Sequence, residues 1–168
     1  MASMKTASAH FTLRPAEMED EAFLFELYRS TREEEISRWG WDEAQKQAFL
    51  SLQFRGQQQH YQLAYQGADH LIIMIAGRAA GRLMTLRTES EIRLVDIALL
   101  PEHRGKGIGE RLMRDLQQQA RESGKPLRLH VERFNRAARF YHRLGFRVIE
   151  DRGTHFFMQW DMGGTDDY

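Results

Sequence analysis

The stretch Ile92–Leu116, IRLVDIALLPEHRGKGIGERLMRDL, joins an apolar run to a basic, glycine-rich turn and then to a segment with helical periodicity. Ile108, Leu112, Met113, Leu116 and Ala120 fall on one face of the predicted helix, while Arg111, Arg114, Asp115, Gln118 and Arg121 fall elsewhere. Gly124 and Pro126 close it. The turn therefore sits at a helix N-terminus, where the first backbone N–H groups lack intrahelical partners and the macrodipole is positive. Such an end suits a phosphate. Gly105, Gly107 and Gly109 let the main chain approach an anion closely, and Arg104 and Lys106 add charge. Two phosphate loops are poor fits. No G-x-x-x-x-G-K-[ST] string occurs, and Glu110 stands where the last glycine of G-x-G-x-x-G would be.

Length and composition bound the reading. The 168 residues predict one domain from residue 1 to 168, with loose termini at about 1–9 and 162–168. Apolar residues make up 42% and charged residues 29%, the mix of an ordinary globular chain. Lys plus Arg and Asp plus Glu each total 24, so nothing pulls the whole chain toward nucleic acid or anionic lipid, and an anion site must be local. With no cysteine, disulfides, thiolate zinc sites and a cysteine nucleophile are excluded. The seven histidines form no H-x-x-x-H pair, so no metal site is expected. MASMKTASAH lacks an apolar core, and no window approaches the roughly 18 apolar residues of a membrane span. A cytoplasmic protein is the expectation.

The remaining texture surrounds the quoted stretch with a mixed α/β domain. Phe11 and Leu13 mark a short strand closed by Pro15; Phe23, Leu24, Leu27 and Tyr28 mark a helix from Glu17 to about Arg29. Trp41 to Gln66 reads as a second helical region, with a break near Arg55 and Gly56. HLIIMIAG, AAGRLMTLRT and EIRLVDIALL form a meander of strands. After the helix from Gly107 to Ser123 come an extended LRLHVE, a helix from Asn135 to Leu144, and the strands FRVIED and THFFMQW. The sum is a central, mostly antiparallel sheet with helices on both faces.

LLPEHRGKGIG resembles the R/Q-x-x-G-x-G/A signature of the GNAT superfamily of acyl-CoA-dependent N-acetyltransferases, with Arg104, Gly107 and Gly109 in the signature places. Downstream, NRAARFYHRLGF resembles the family's second signature, an Asn-led helix ending in F-Y-x-x-x-G-F. The order of elements fits from about Phe11 to Trp160, although residues 33–70 carry little to match. The resemblance implies that Arg104, Gly105, Lys106, Gly107, Ile108 and Gly109 hold the pyrophosphate of coenzyme A. It implies that Ile97, Ala98 and Leu99 offer main-chain groups to the pantetheine arm, that Asn135 contacts that arm as well as capping its helix, and that Tyr141 gives a proton to the leaving thiol.

Acetylation of an amine needs a neutral nucleophile, and a lysine-type amine, with a reference pKa of about 10.4, is mostly charged at pH 7. A base is useful, and Glu91, at the start of EIRLVDIALL, is the candidate. Asp96, an odd number of positions away, falls on the opposite face of a regular strand. His130 and Glu132 share a face of the next strand. On the acceptor side the resemblance implies the first two helices, where Glu33, Glu34 and Glu35 would attract a cation and Trp39 and Trp41 would form an aromatic wall. Acetyl-CoA is the implied co-substrate, transfer is direct because no cysteine can carry the acetyl group, and the acceptor is an amine of a small molecule or peptide. A homodimer through THFFMQW is compatible. A non-catalytic acyl-CoA-binding module is the alternative, which would keep the loop and dispense with acid and base.

Overall fold

A computed structural model describes residues 10–161. The loose termini expected from the sequence lie outside these residues. The elements are β1 (Thr12–Pro15), α1 (Glu21–Ile36), α2 (Glu43–Ala64), β2 (Asp69–Ile75), β3 (Arg78–Arg87), β4 (Ile92–Leu99), α3 (Ile108–Ser123), β5 (Leu127–Glu132), α4 (Ala137–Arg143), β6 (Arg147–Asp151) and β7 (His155–Trp160). The strands form one seven-stranded sheet in the order β1-β2-β3-β4-β5-β7-β6. β4 and β5 run parallel, whereas β1 with β2, β5 with β7 and β6 with β7 are antiparallel, which is the mixed α/β sheet expected.

The chain divides into two compact units, Met1–Met84 with Asp96–Gly109, and Thr85–Val95 with Glu110–Tyr168. β3, β4 and α3 each contribute residues to both. In the first unit, Leu24 and Leu27 of α1, Phe54 of α2 and Ile72 of β2 form a buried cluster, with Ala98 and Leu100 packed against it. Phe54 meets Phe25 edge to face at 5.5 Å and Tyr28 at 5.7 Å. In the second unit the buried positions follow the two expected periods: Leu112, Met113, Leu116 and Ala120 along α3, and Leu127, Leu129 and Val131 at every second place along β5. Gln117, buried among them, donates to the Leu144 carbonyl at 2.8 Å and so ties α3 to the end of α4.

The break expected near Arg55 and Gly56 does not occur: α2 runs unbroken through both, and α1 runs seven residues past Arg29, to Ile36. Phe54 supplies the reason, since its burial against α1 outweighs the ~1 kcal/mol that glycine costs a helix interior. The helix also starts firmly. Asp42 accepts from the Gln45 N–H at 2.8 Å and the Gln45 side chain accepts from the Asp42 N–H at 3.0 Å. A methyl group at Gly56 would meet nothing within 4 Å. Gly56→Ala is expected to add about 0.5–1 kcal/mol of stability, read as a higher urea midpoint at unchanged slope.

Asp20 anchors the start of α1 to β1. It accepts from both terminal nitrogens of Arg14, at 2.7 and 2.8 Å, and from the Glu17 N–H at 2.8 Å. The Arg14 hydrogen bonds, acting against burial, lower its pKa to about 2. A carboxylate depressed in the folded state contributes stability that is complete above its unfolded pKa, about 4, and drains as pH falls from there toward 2. Asp20→Asn should therefore be less stable than the parent at pH 6, and the gap should narrow when urea midpoints are remeasured at pH 3. A constant gap would contradict the linkage.

Candidate functional site

In the first unit, β4 ends at Leu99 and a single 3-10 turn, Pro101–His103, carries the chain into the glycine-rich turn. The Leu100 N–H donates to the Ala80 carbonyl at 2.8 Å, which fixes the exit from the sheet. Gly105 and Gly107 have φ of 72° and 84°, left-handed values that a side chain resists, and a Cβ at Gly105, Gly107 or Gly109 would meet nothing within 4 Å. The turn therefore offers open backbone just before the first N–H groups of α3. Lys106 is exposed, and Ile108 is buried and roots the helix. This arrangement suits a phosphate group: bare main chain, a helix start and a cation.

Arg104 does something further. Its Nε donates to the Leu99 carbonyl at 2.9 Å and its Nη2 to the Ser30 hydroxyl at 3.4 Å, so it braces the loop against the end of β4 and against α1. Ile97, Ala98 and Leu99 are half-buried. The ladder between β4 and β5 covers Ile92↔Leu127 to Leu94↔Leu129, and these three residues lie past its last paired position. On the β3 side the approach is close: a Cβ on Gly81 would fall well inside van der Waals contact with the Ala98 carbonyl oxygen, so only glycine fits there.

The same part of β4 carries a polar network that the sequence does not announce. Arg82, 5% exposed in the middle of β3, donates through Nε to Asp96 Oδ2 at 2.9 Å and through Nη2 to the same oxygen. Its Nη2 also donates to Gln57 Oε1 at 3.1 Å, its guanidinium lies 5.3 Å from the Tyr61 ring centroid, and the Tyr61 hydroxyl donates to Asp96 at 3.3 Å. Burial, followed by the charge of Asp96, pushes the Tyr61 phenol above its ordinary range, so it stays a donor. His70 Nε2 is buried without a hydrogen-bond partner among the described residues, and burial and then Arg82 hold this imidazole below its usual pKa. Only a weak signal pointed here: one arginine in AAGRLMTL and one aspartate in LVDIALL, each alone in a run of apolar residues.

The residues expected on the acceptor side make local contacts. Glu33 pairs with Arg29, Glu34 with Arg38 and Glu35 with Arg32. Trp39, Trp41 and Phe49 meet edge to face at 5.0, 5.3 and 5.4 Å, a mutually packed trio.

In the second unit, Tyr141 is 7% exposed on α4, and its ring packs against Phe146 at 5.7 Å and Phe140 at 5.5 Å. Asn135 accepts from the Ala137 N–H at 2.9 Å, so it caps α4 from one residue further out than expected. Glu91 lies just before β4, at the hairpin from β3, where the Thr88 N–H donates to its carbonyl at 3.0 Å. Its Oε1 and Oε2 accept from Arg93 at 3.0 and 3.3 Å, and Oε2 accepts from Arg128 at 3.4 Å. His130, on β5, is stacked on Phe157 at 4.6 Å. Among the described residues, no group of three His, Cys, Asp or Glu is placed to hold a metal ion, and no helix is long and apolar enough to cross a membrane.

Comparison with known proteins agrees with the motifs. The family model described as Acetyltransferase (GNAT) family matches residues 22–146. PaiA N-acetyltransferase from Thermoplasma acidophilum, solved in complex with coenzyme A, superposes with a TM-score of 0.67 at 20% identity, covering 90% of this chain and 99% of that one. An acetyltransferase from Thermus thermophilus gives 0.65 at 16% identity, covering 90% and 97%. Ard1 from Thermoplasma volcanium gives 0.54 at 20%, also covering 90% and 97%. No curated protein matched. At these identities the superpositions speak for the fold, while the family match spans both signatures, RGKGIG and FYHRLGF. The chain belongs to the GNAT family of acetyltransferases.

Proposed function

We propose that the protein transfers an acetyl group from acetyl-CoA directly to an amine of a small molecule or peptide. The observation that carries the reading is the open glycine turn, with Gly105 and Gly107 in left-handed conformations ahead of α3. In this reading the turn, Arg104 and Lys106 take the pyrophosphate, with Arg104 also bracing the turn through Leu99 and Ser30, and the main chain of Ile97, Ala98 and Leu99 holds the pantetheine arm and the acetyl carbonyl. Asn135 serves the arm while capping α4. The amine nitrogen attacks the thioester carbon, the carbon–sulfur bond breaks, and the departing thiolate takes the proton of the Tyr141 hydroxyl. Glu91 is the candidate to take the amine's surplus proton, directly or through a water, and Arg93 and Arg128 hold its carboxylate in place. The setting is the cytoplasm, with no nucleic acid, membrane or metal involved. A homodimer belongs to the reading, but not through the THFFMQW edge: β7 is paired on both sides, with β5 and β6, so the end strand β6, where Val148 and Ile149 are exposed, takes its place.

Release of free CoA thiol from acetyl-CoA, followed against a panel of amines, amino acids and peptides, tests the transfer. Amine-dependent release is expected. Tight binding of acetyl-CoA with no release across the panel would replace the enzyme with a binding module.

A further inference from the structure

We propose that Phe134 and the arginine stripe Arg136, Arg139 and Arg143 form a subsite for the adenosine 3′-phosphate end of acyl-CoA, so that the chain reads the nucleotide handle of its acyl carrier. The inference rests on the acetyl-CoA reading above, and its residues all belong to the second unit.

The arginines of the other helices are engaged locally. On α1, Arg29 pairs with Glu33 and Arg32 with Glu35; on α2, Arg55 donates to the Ser51 carbonyl; on α3, Arg111 pairs with Asp115, Arg114 with Glu110, and Arg121 donates to Gln118. Around α4 that pattern stops. Arg136, Arg139 and Arg143 are exposed, and among the described residues their guanidiniums meet no acceptor. They follow one another at three and then four residues, the spacing that stacks side chains on one helix face, and the stripe spans about 10 Å of helix axis. Like charges at that spacing destabilise a helix. No carboxylate interrupts the stripe, so three fork-shaped donors face solvent together.

Phe134 stands directly before them. The Asn135 N–H donates to the Glu132 carbonyl at 3.0 Å, closing a turn with Arg133 and Phe134 at its tip, and the Arg133 N–H donates to the Thr154 carbonyl at 3.0 Å. Asn135 then accepts from the Ala137 N–H at 2.9 Å. The backbone is thus held on both sides of Phe134, yet its side chain is 94% exposed. A fixed, bare aromatic ring followed by a row of cations is the complement of a flat base joined to a phosphate.

Guanidinium forks bind phosphate oxygens in pairs, and an aromatic face takes a nucleobase by stacking. One ring and about 10 Å of charge suit a single nucleotide. A nucleic acid strand calls for a longer basic track, and the chain as a whole balances 24 basic against 24 acidic residues. Acyl-CoA carries one such nucleotide. On the reading above Asn135 serves the pantetheine arm, and Phe134 and Arg136 are its immediate neighbours in sequence. α3 and α4 also follow the adjacent parallel strands β4 and β5, so both helices start at the end of the sheet where ligands of parallel strands lie.

Calorimetric titration with acetyl-CoA, with its 3′-dephospho form and with S-acetyl-4′-phosphopantetheine tests the subsite without turnover. In the parent protein the dephospho form should bind about tenfold more weakly than acetyl-CoA, and the phosphopantetheine more weakly again. In the double variant Arg139→Gln with Arg143→Gln, at exposed positions, acetyl-CoA should fall to the affinity of the dephospho form, whose own affinity should hold. Phe134→Ala should weaken both nucleotide forms by a similar factor and leave the phosphopantetheine unchanged. Equal parent affinities for acetyl-CoA and its dephospho form would overturn the subsite while leaving acetyl-CoA binding intact, as would variants that bind like the parent. Acetyl-CoA that fails to bind the parent at all would remove the underlying reading together with the subsite.

Discussion

Asp96→Ala is expected to cost the fold about 3–5 kcal/mol, the range for leaving one partner of a buried ion pair uncompensated. The Arg82 side chain is 6% exposed, and without Asp96 its guanidinium keeps, among the described residues, Gln57 and the face of the Tyr61 ring. The Tyr61 hydroxyl loses its acceptor in the same step. Removing both charges should hurt less than removing one. In Arg82→Met with Asp96→Ala no charge is left buried, so the double variant should be more stable than Asp96→Ala alone. Urea unfolding of the three proteins checks this, and a double variant less stable than the single one would show that the network matters as packing rather than as a paired charge.

Tyr141→Phe should lower amine-dependent thiol release by a factor of about 10²–10⁴, the usual contribution of a positioned proton donor. The ring contacts with Phe140 and Phe146 survive the change, so thermal stability should move little. Affinity for acetyl-CoA should also hold, because the proton is needed only as the thiolate leaves. Loss of turnover together with loss of binding would instead make Tyr141 a packing residue of α4. Unchanged turnover would remove it from the chemistry.

The sequence made legible what short periodic patterns encode. Apolar alternation placed the meander and β5, the 3.6-residue stripe placed α3, and the glycine positions placed the turn before it. The helix α2 was harder, because its continuity past Gly56 comes from Phe54 meeting Phe25 and Tyr28, partners about thirty positions away. Side-chain roles were harder still. Arg104 reads only as a cation in RGKGIG, and no local pattern shows that two of its five N–H groups also go to Leu99 and Ser30. Glu33, Glu34 and Glu35 read as an acidic patch, yet each meets an arginine of its own helix or the turn after it, three or four residues away. Glu91 reads as an available carboxylate, yet Arg93 and Arg128 converge on it from adjacent strands. Arg82 with Asp96 and His130 with Phe157 meet only through strand pairing and packing, which no local pattern specifies.

The central claim, that the glycine turn holds the pyrophosphate of an acyl-CoA, is tested most directly by thermal melting with acetyl-CoA for the parent protein and for Gly107→Val. Gly107 needs φ of 84°, which a β-branched residue strongly resists. At about 100 times the dissociation constant, the ligand should stabilise the parent by roughly 2.7 kcal/mol and leave Gly107→Val unmoved. No shift in the parent, or an equal shift in both proteins, would contradict it.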